Sequence, residues 1–171
     1  IPATIFVPEW VDPVKLAGIQ AAGAEARTVG TTFDESESAA VAEAAETGRT
    51  YVSAYDDPWV IAGQGTIAFE VERALGERPS AMIAPLSGGG LLAGIAAAFG
   101  EDGAEVDGRS KGRSRSTAGQ DSPVRTVGCS ASNAAVMLAS VQRGHPVELP
   151  EQETLANALA GGIGLQNRFS L

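Results

Sequence analysis

Apolar positions along this chain come in short runs that switch between a strand period and a helical one. Ala3–Val7 (ATIFV) is a compact β-branched run closed by Pro8, which predicts a strand. Pro13–Ala22 places Val14, Leu16 and Ile19 for inward packing and meets Gly23, which predicts a helix and its stop. Ala26–Val29 reads as a second strand, Phe33–Glu46 as an Ala- and Glu-rich helix closed by Gly48, and Thr50–Ser53 as a third strand. Tyr55-Asp56-Asp57-Pro58 is a turn signal: Asp57 suits an N-cap and Pro58 the first helical position, where its missing N–H costs nothing. The helix that follows runs to about Leu75, with Val60, Ile61, Ile67, Ala68, Val71, Ala74 and Leu75 at helical spacing.

Ala81–Leu86 is the clearest strand and Leu91–Phe99 the clearest buried helix. Arg125–Cys129 reads as a further strand, and Asn133–Arg143 as a helix capped by Ser132 or Asn133 and stopped by Gly144. Strands alternating with helices imply an α/β fold with an open, mostly parallel sheet and flanking helices. Residues 101–122 (EDGAEVDGRSKGRSRSTAGQDS) break the pattern. They lack periodicity and enough apolar surface to offset chain entropy, which predicts a mobile surface insertion. Its cluster of Arg109, Lys111, Arg113 and Arg115 reads as a solvated loop before it reads as a contact for RNA or an acidic partner.

Composition narrows the function. The 171 residues are 44% hydrophobic and carry a net charge of −9, so a core is possible while nucleic acid and anionic membranes are poor partners. One cysteine, Cys129, excludes an intrachain disulfide, and one histidine, His145, excludes His-pair metal motifs. No apolar run reaches the roughly 18 residues of a membrane span. The chain opens on strand-like residues without a methionine or a basic leader, so a cytoplasmic protein truncated upstream is expected.

The strongest chemical signal is the run AMIAPL-SGGG-LLAGIAAAF, in which a strand enters Ser87-Gly88-Gly89-Gly90 and a helix begins at once. Three glycines let the backbone approach an anion, and the helix start adds unpaired N–H groups with partial positive charge. Ser87 can add a hydroxyl donor. This is a phosphate cradle at the C-terminal end of a strand, where open α/β sheets bind ligands. A glycine turn needed only for tight packing is the structural alternative. No Gly-Lys-Ser/Thr follows, so it is not a Walker loop, nor does it match GxGxxG.

SGGGL resembles the cofactor-phosphate loop of fold-type-II pyridoxal-phosphate enzymes of the serine/threonine dehydratase family. Ser53–Glu70 (SAYDDPWVIAGQGTIAFE) is similar to a long segment of the same family, as are IFVPEWVDPVKLAGIQAAGAE, Glu153–Asn157 and Gly162–Leu165. The resemblance implies a tryptophan-synthase-β-like fold, incomplete here, with residues 1–53 ending a small domain and 54–171 forming part of the large cofactor domain. It implies pyridoxal 5'-phosphate held by Ser87, Gly88, Gly89, Gly90 and Leu91, with Tyr55 near the cofactor ring, where a core aromatic at a strand end is the structural alternative, and Gly161, Gly162 and Gly164 on the substrate side. Gly63, Gln64, Gly65 and Thr66 are expected to be structural.

The resemblance also implies β-elimination from a small hydroxy amino acid, with a catalytic lysine upstream of the matched segments. Only Lys15 and Lys111 occur here, and neither matches that lysine, so no catalytic residue is expected within the chain and the chain alone should be inactive. Ser130 and Val136 stand where some relatives carry carboxylate ligands, so no metal is expected. Asp56 and Asp57 suit helix capping better than metal binding. Half-built sheets should expose apolar edges and favour a homodimer or association with the missing segment. A hydroxyectoine-type dehydratase, a racemase of the same fold, a non-catalytic remnant binding phosphate esters or a partner, and a nucleotide-binding module remain the alternatives.

Overall fold

The computed structural model describes residues 1–100 and 123–171, so the insertion expected at 101–122, with Lys111, lies outside the described residues. The chain forms two compact units, Ile1–Val52 and Ser53–Leu171.

In the first unit β1 (Thr4–Val7) and β2 (Glu25–Thr28) pair in parallel, from Thr4 opposite Glu25 to Val7 opposite Thr28. The crossover is α1 (Pro13–Ala21), which starts where the Asp12 carboxylate accepts the Val14 N–H at 2.8 Å. The inward set expected for α1 is corrected: Val14 is 81% exposed, whereas Leu16 and Ile19 are half-buried. At about 100° per residue Val14 and Leu16 lie roughly 200° apart and cannot share a face. Helix α2 (Phe33–Thr47) opens with a capping box, in which Thr32 Oγ1 accepts the Glu35 N–H and the Glu35 carboxylate accepts the Thr32 N–H. It ends at Gly48, whose φ of 69° is left-handed. The buried Ser36 hydroxyl donates to Val29 O at 2.6 Å and ties α2 to the end of β2.

Thr50–Ser53 is not a strand. A strand exists by its ladder, and no neighbour pairs with these residues among those described. Side chains direct them instead. Tyr51 donates its hydroxyl to Glu37 at 2.7 Å, and Ser53 Oγ accepts the Asp56 N–H at 3.0 Å, which turns the backbone.

The second unit begins with α3 (Pro58–Leu75), capped by Asp57, whose carboxylate accepts from Trp59 N at 2.7 Å and Val60 N at 3.1 Å. Strands β3 (Ala81–Pro85) and β4 (Arg125–Cys129) pair in parallel, from Ala81 opposite Arg125 to Pro85 opposite Cys129. Helix α4 (Gly90–Phe99) follows β3 and packs on α3. The two helices meet backbone to backbone: a Cβ on Gly65 would lie 2.9 Å from Gly94 O, and one on Gly94 would lie 2.7 Å from Gly65 N. The core beneath them holds Ala68, Ala84, Ile95, Phe99 and Val124, and burying Ile95 alone is worth about 1.5–3 kcal/mol. Arg78 covers the end of α4, with a guanidinium nitrogen on Phe99 O and the charge 5.2 Å from the Phe99 ring centre.

Helix α5 (Val136–Arg143) starts three residues later than the sequence suggested and has no side-chain cap. Asn133 is used elsewhere: its amide donates to Glu153 O at 2.8 Å, and the chain turns as Ala134 N donates to Ala131 O. Val136, Met137 and Ile163 form a second buried cluster against Leu86 and Val141. A 3-10 turn, Asn157–Leu159, precedes the glycine-rich 161–164 stretch. Among the described residues no helix is long and apolar enough to cross a membrane.

Candidate functional site

Strand β3 ends at Pro85, Leu86 packs into the second cluster, and Ser87-Gly88-Gly89 delivers the chain to α4. Gly88, Gly89 and Gly90 are buried. The absence of a side chain is required at each. A Cβ on Gly88 would run into the Tyr55 ring, one on Gly90 would lie 2.5 Å from Tyr55 O, and one on Gly89 would lie 2.6 Å from the Met137 methyl and closer still to Ser170 O. Gly89 also has φ +88°, a left-handed conformation at the N-cap of α4.

That N-cap offers the helix no side-chain acceptor. The first intrahelical bond is Ala93 N to Gly89 O at 2.9 Å. Among the described residues the N–H groups of Ser87, Gly88, Gly89, Gly90 and Leu91 donate to no protein acceptor. Ser87 and Leu91 are half-buried, but donors on the three buried glycines are costly to leave without acceptors, and they sit at the positive end of a helix dipole. The arrangement asks for an anion rich in acceptors and lacking protons, which describes a phosphate monoester.

Neighbouring carboxylates do not compete for these donors. Asp57 is spent on the α3 cap. Asp56 does not cap a helix, which corrects the expectation for it. Its carboxylate oxygens accept three successive N–H groups far along the chain, Arg168 at 2.9 Å, Phe169 at 2.7 Å and Ser170 at 3.1 Å. This clamp brings Ser170 to the loop, where its hydroxyl donates to Gly88 O at 2.6 Å. Asn167 in turn donates to Ser170 Oγ at 2.8 Å and to Ile163 O at 3.2 Å.

The sequence-predicted residues therefore divide. Ser87, Gly88, Gly89, Gly90 and Leu91 form the loop and the first turn of α4, and Tyr55 lies against Gly88 and Gly90. Gly161, Gly162 and Gly164 are half-buried around Ile163, which reaches the loop indirectly by packing with Met137 and Leu86. Ser130 donates its hydroxyl to Leu86 O at 2.6 Å and Val136 is core, so both have structural uses. Lys15 is exposed on α1, and the described residues of the second unit include no lysine. A cleft of about 470 Å³ between α3 and α4, bounded by Ile61, Phe69, Ala97 and Phe169, has no charged lining residue and offers a phosphate nothing.

Asp56, Asn167 and Ser170 were missed from the sequence. The Asp56 bonds span 112 to 114 residues, so no local spacing signals them. The pair Asp56-Asp57 shows only that one carboxylate can cap α3.

Known proteins point the same way. Residues 1–170 match the family described as pyridoxal-phosphate dependent enzyme. The chain is 36% identical over 160 residues to an L-threonine ammonia-lyase of Geobacter sulfurreducens, covering 94% of this chain and 35% of that protein. It superposes on the processed form of threonine deaminase isoform 2 from Solanum lycopersicum with TM-score 0.69 and 31% identity, over 94% of this chain and 41% of that one. Maize serine racemase shares the fold, with TM-score 0.74 at 23% identity over 98% of this chain and 45% of its own. The chain thus spans less than half the length of each of these proteins.

Proposed function

The chain belongs to the pyridoxal-phosphate dependent enzymes, and on that premise we propose that it supplies the cofactor-phosphate half of an ammonia-lyase acting on a small hydroxy amino acid such as threonine or serine. The observation that carries this reading is the uncapped start of α4, where buried glycines present N–H groups without protein acceptors. Ser87, Gly88, Gly89, Gly90 and Leu91 would hold the phosphate, each hydrogen bond to a charged oxygen contributing about 1.5–3 kcal/mol. Tyr55 would bound the ring side, and the backbone of Gly161, Gly162 and Gly164 the substrate side. When bound, the cofactor supplies an electron sink for β-elimination. The chain's own residues bind and orient it.

In this reading residues 1–53 end a small domain, residues 54–171 are part of the large one, and the proton-abstracting lysine comes from sequence outside this chain. Exposed Lys15 lacks the burial that tunes a catalytic lysine. Large apolar side chains stand in solvent on the second unit, among them Ile83 at 72%, Phe69 at 62% and Leu75 at 60% exposed. They support a homodimer, or docking of the remainder of the enzyme, over a free monomer. The exposed thiol of Cys129 suits a reducing compartment and supports a cytoplasmic location.

A pyridoxal-phosphate titration of the purified chain, followed by borohydride reduction and peptide mapping, tests the proposal. Saturable binding that inorganic phosphate competes away, without stoichiometric label on Lys15 or Lys111, is expected. Stoichiometric labelling of either lysine would place the catalytic group inside the chain, and binding indifferent to phosphate would remove the loop from the site.

A further inference from the structure

We propose that Ser170 is a positioning residue for the phosphate loop: its hydroxyl, oriented by Asn167, fixes the Gly88–Gly89 peptide so that the Gly89 N–H faces the ligand. This rests on the cofactor reading above and deepens it.

The direction of each hydrogen bond follows from chemistry. Ile163 O can only accept, so the Asn167 group facing it at 3.2 Å is the amide nitrogen, and the same nitrogen donates to Ser170 Oγ at 2.8 Å. Ser170 Oγ is thereby an acceptor on one side, and its single proton goes to Gly88 O at 2.6 Å, in a buried bond. Three N–H groups on the Asp56 carboxylate hold residues 168–170 in place. The clamp fixes the Ser170 backbone, and the Asn167 amide holds the hydroxyl in the rotamer that faces Gly88 O.

The consequence lies across the peptide bond. In a planar trans peptide the C=O and the following N–H point in opposite directions. Tying Gly88 O to the Ser170 side therefore turns the Gly89 N–H to the other side, away from the tail. The Gly89 Cα is already pressed against the tail, since a Cβ there would strike Ser170 O and Met137. With both faces of the residue fixed, its N–H has one direction left. Donation into the Gly88 carbonyl also polarises the peptide and makes the Gly89 N–H a stronger donor, by about 10–30% per bond in such chains.

A hydroxyl that merely anchored the tail would affect the whole site alike. One that aims a single N–H should affect the phosphate and spare the rest of the cofactor. The test has two arms. In the 15N-labelled unmodified chain, inorganic phosphate is expected to shift the Gly89 amide together with those of Gly90 and Leu91. In variants, Ser170→Ala is expected to weaken pyridoxal phosphate by about tenfold, the scale of one misdirected charge-assisted bond, and to leave phosphate-free pyridoxal unchanged. Ser170→Thr, which keeps the hydroxyl, should stay within about twofold of the parent. The proposal is overturned if Gly89 stays still while Gly90 and Leu91 move, or if Ser170→Ala weakens both ligands equally or neither. Silence of every amide from Ser87 to Leu91 would instead remove the cofactor reading, and this inference with it. Should Ser170→Ala fail to fold, Ser170→Cys, which keeps the volume but donates weakly, takes its place in the same comparison of pyridoxal phosphate with pyridoxal.

Discussion

In the first unit a Cβ placed on Gly18, Gly23 or Gly48 would have nothing within 4 Å and one on Gly30 would meet only the Glu35 side chain, whereas in the second, where Gly63, Gly76 and Gly144 are equally open, one placed on Gly65, Gly88, Gly89, Gly90 or Gly94 would strike another part of the chain. Gly23 and Gly48 punctuate: their positive φ values end a helix or start a turn. Gly65, Gly89, Gly90 and Gly94 admit backbone to backbone, and Gly88 admits the Tyr55 ring. The rest of each unit follows suit. The first relies on the Thr32–Glu35 capping box and on surface pairs such as Arg27–Glu25 at 2.8 Å, which solvent screens, and α1 buries no residue. The second relies on the interlock of α3 and α4 and of the loop with Tyr55 and Ser170. The difference shows where each unit tolerates change: at side chains in the first, and almost nowhere along the α3–α4 seam in the second.

The sharpest way to break this contrast is Gly94→Ala. The new methyl would lie 2.7 Å from Gly65 N and nearer still to Ile61 O, and backbone atoms within a helix cannot step aside. The helices must separate over Ala68 and Ile95. We expect a loss of about 3 kcal/mol, read as a lower chemical-denaturation midpoint. A change under about 0.5 kcal/mol would mean that the seam is loose and the contrast false.

Gly90→Ala comes next and separates the loop from the core. Its methyl would lie 2.5 Å from Tyr55 O, but the loop can yield at less cost than a helix seam. Pyridoxal-phosphate affinity should fall at least about tenfold, with stability lowered by about 1–2 kcal/mol. Unchanged affinity would show that the loop carries a packing glycine and no ligand.

These two sites also mark how far the sequence could be read. Helix α3 and its Asp57 cap, β3, α4, and the stops at Gly48 and Gly144 followed from local rules, because periodicity, capping and punctuation act over a few residues. The loop was legible for the same reason: strand, glycines and helix are contiguous. Thr50–Ser53 failed because a strand needs a neighbour, and the α5 start failed because Asn133 found Glu153, 20 residues away. The glycines of the GQGT segment were expected to be structural, yet nothing local distinguishes Gly65, which touches α4, from Gly63, which touches nothing. Asp56, Asn167 and Ser170 were out of reach because the tail meets the loop only in three dimensions.

On the other side of the comparison, Gly18→Ala should be tolerated and mildly favourable. Gly18 lies inside α1, nothing is within 4 Å of its missing Cβ, and its φ is not in the left-handed range. Alanine reduces the entropy lost on folding and adds helix propensity, a gain of about 0.5–1 kcal/mol. A loss of stability there would mean that α1 packs against something in the working protein, and the contrast between the units would narrow.

The smallest effect is electrostatic and belongs to the first unit alone. Glu35 accepts the Thr31 N–H at 2.6 Å, the Thr31 hydroxyl at 3.1 Å and the Thr32 N–H at 3.2 Å. These bonds, the Thr31 backbone N–H foremost, hold its carboxyl below the usual glutamate value. The folded state thus favours the ionised form. Its contribution is complete above the unfolded glutamate pKa and is lost as pH falls through the lower folded value. Glu25 shifts in the same direction, through its hydrogen bond from Arg27, so it weakens over the same acid window. Amide protection in the first turn of α2 should therefore fall on acidification below pH about 4.5, the ordinary glutamate value. Glu35→Gln keeps an acceptor for the capping box but cannot titrate, so it should flatten the acid slope at α2 and leave the Glu25 part intact. An unchanged slope at α2 in that variant would show that the cap holds by geometry alone, and that the first unit depends less on charge at its helix starts than the contrast with the second requires.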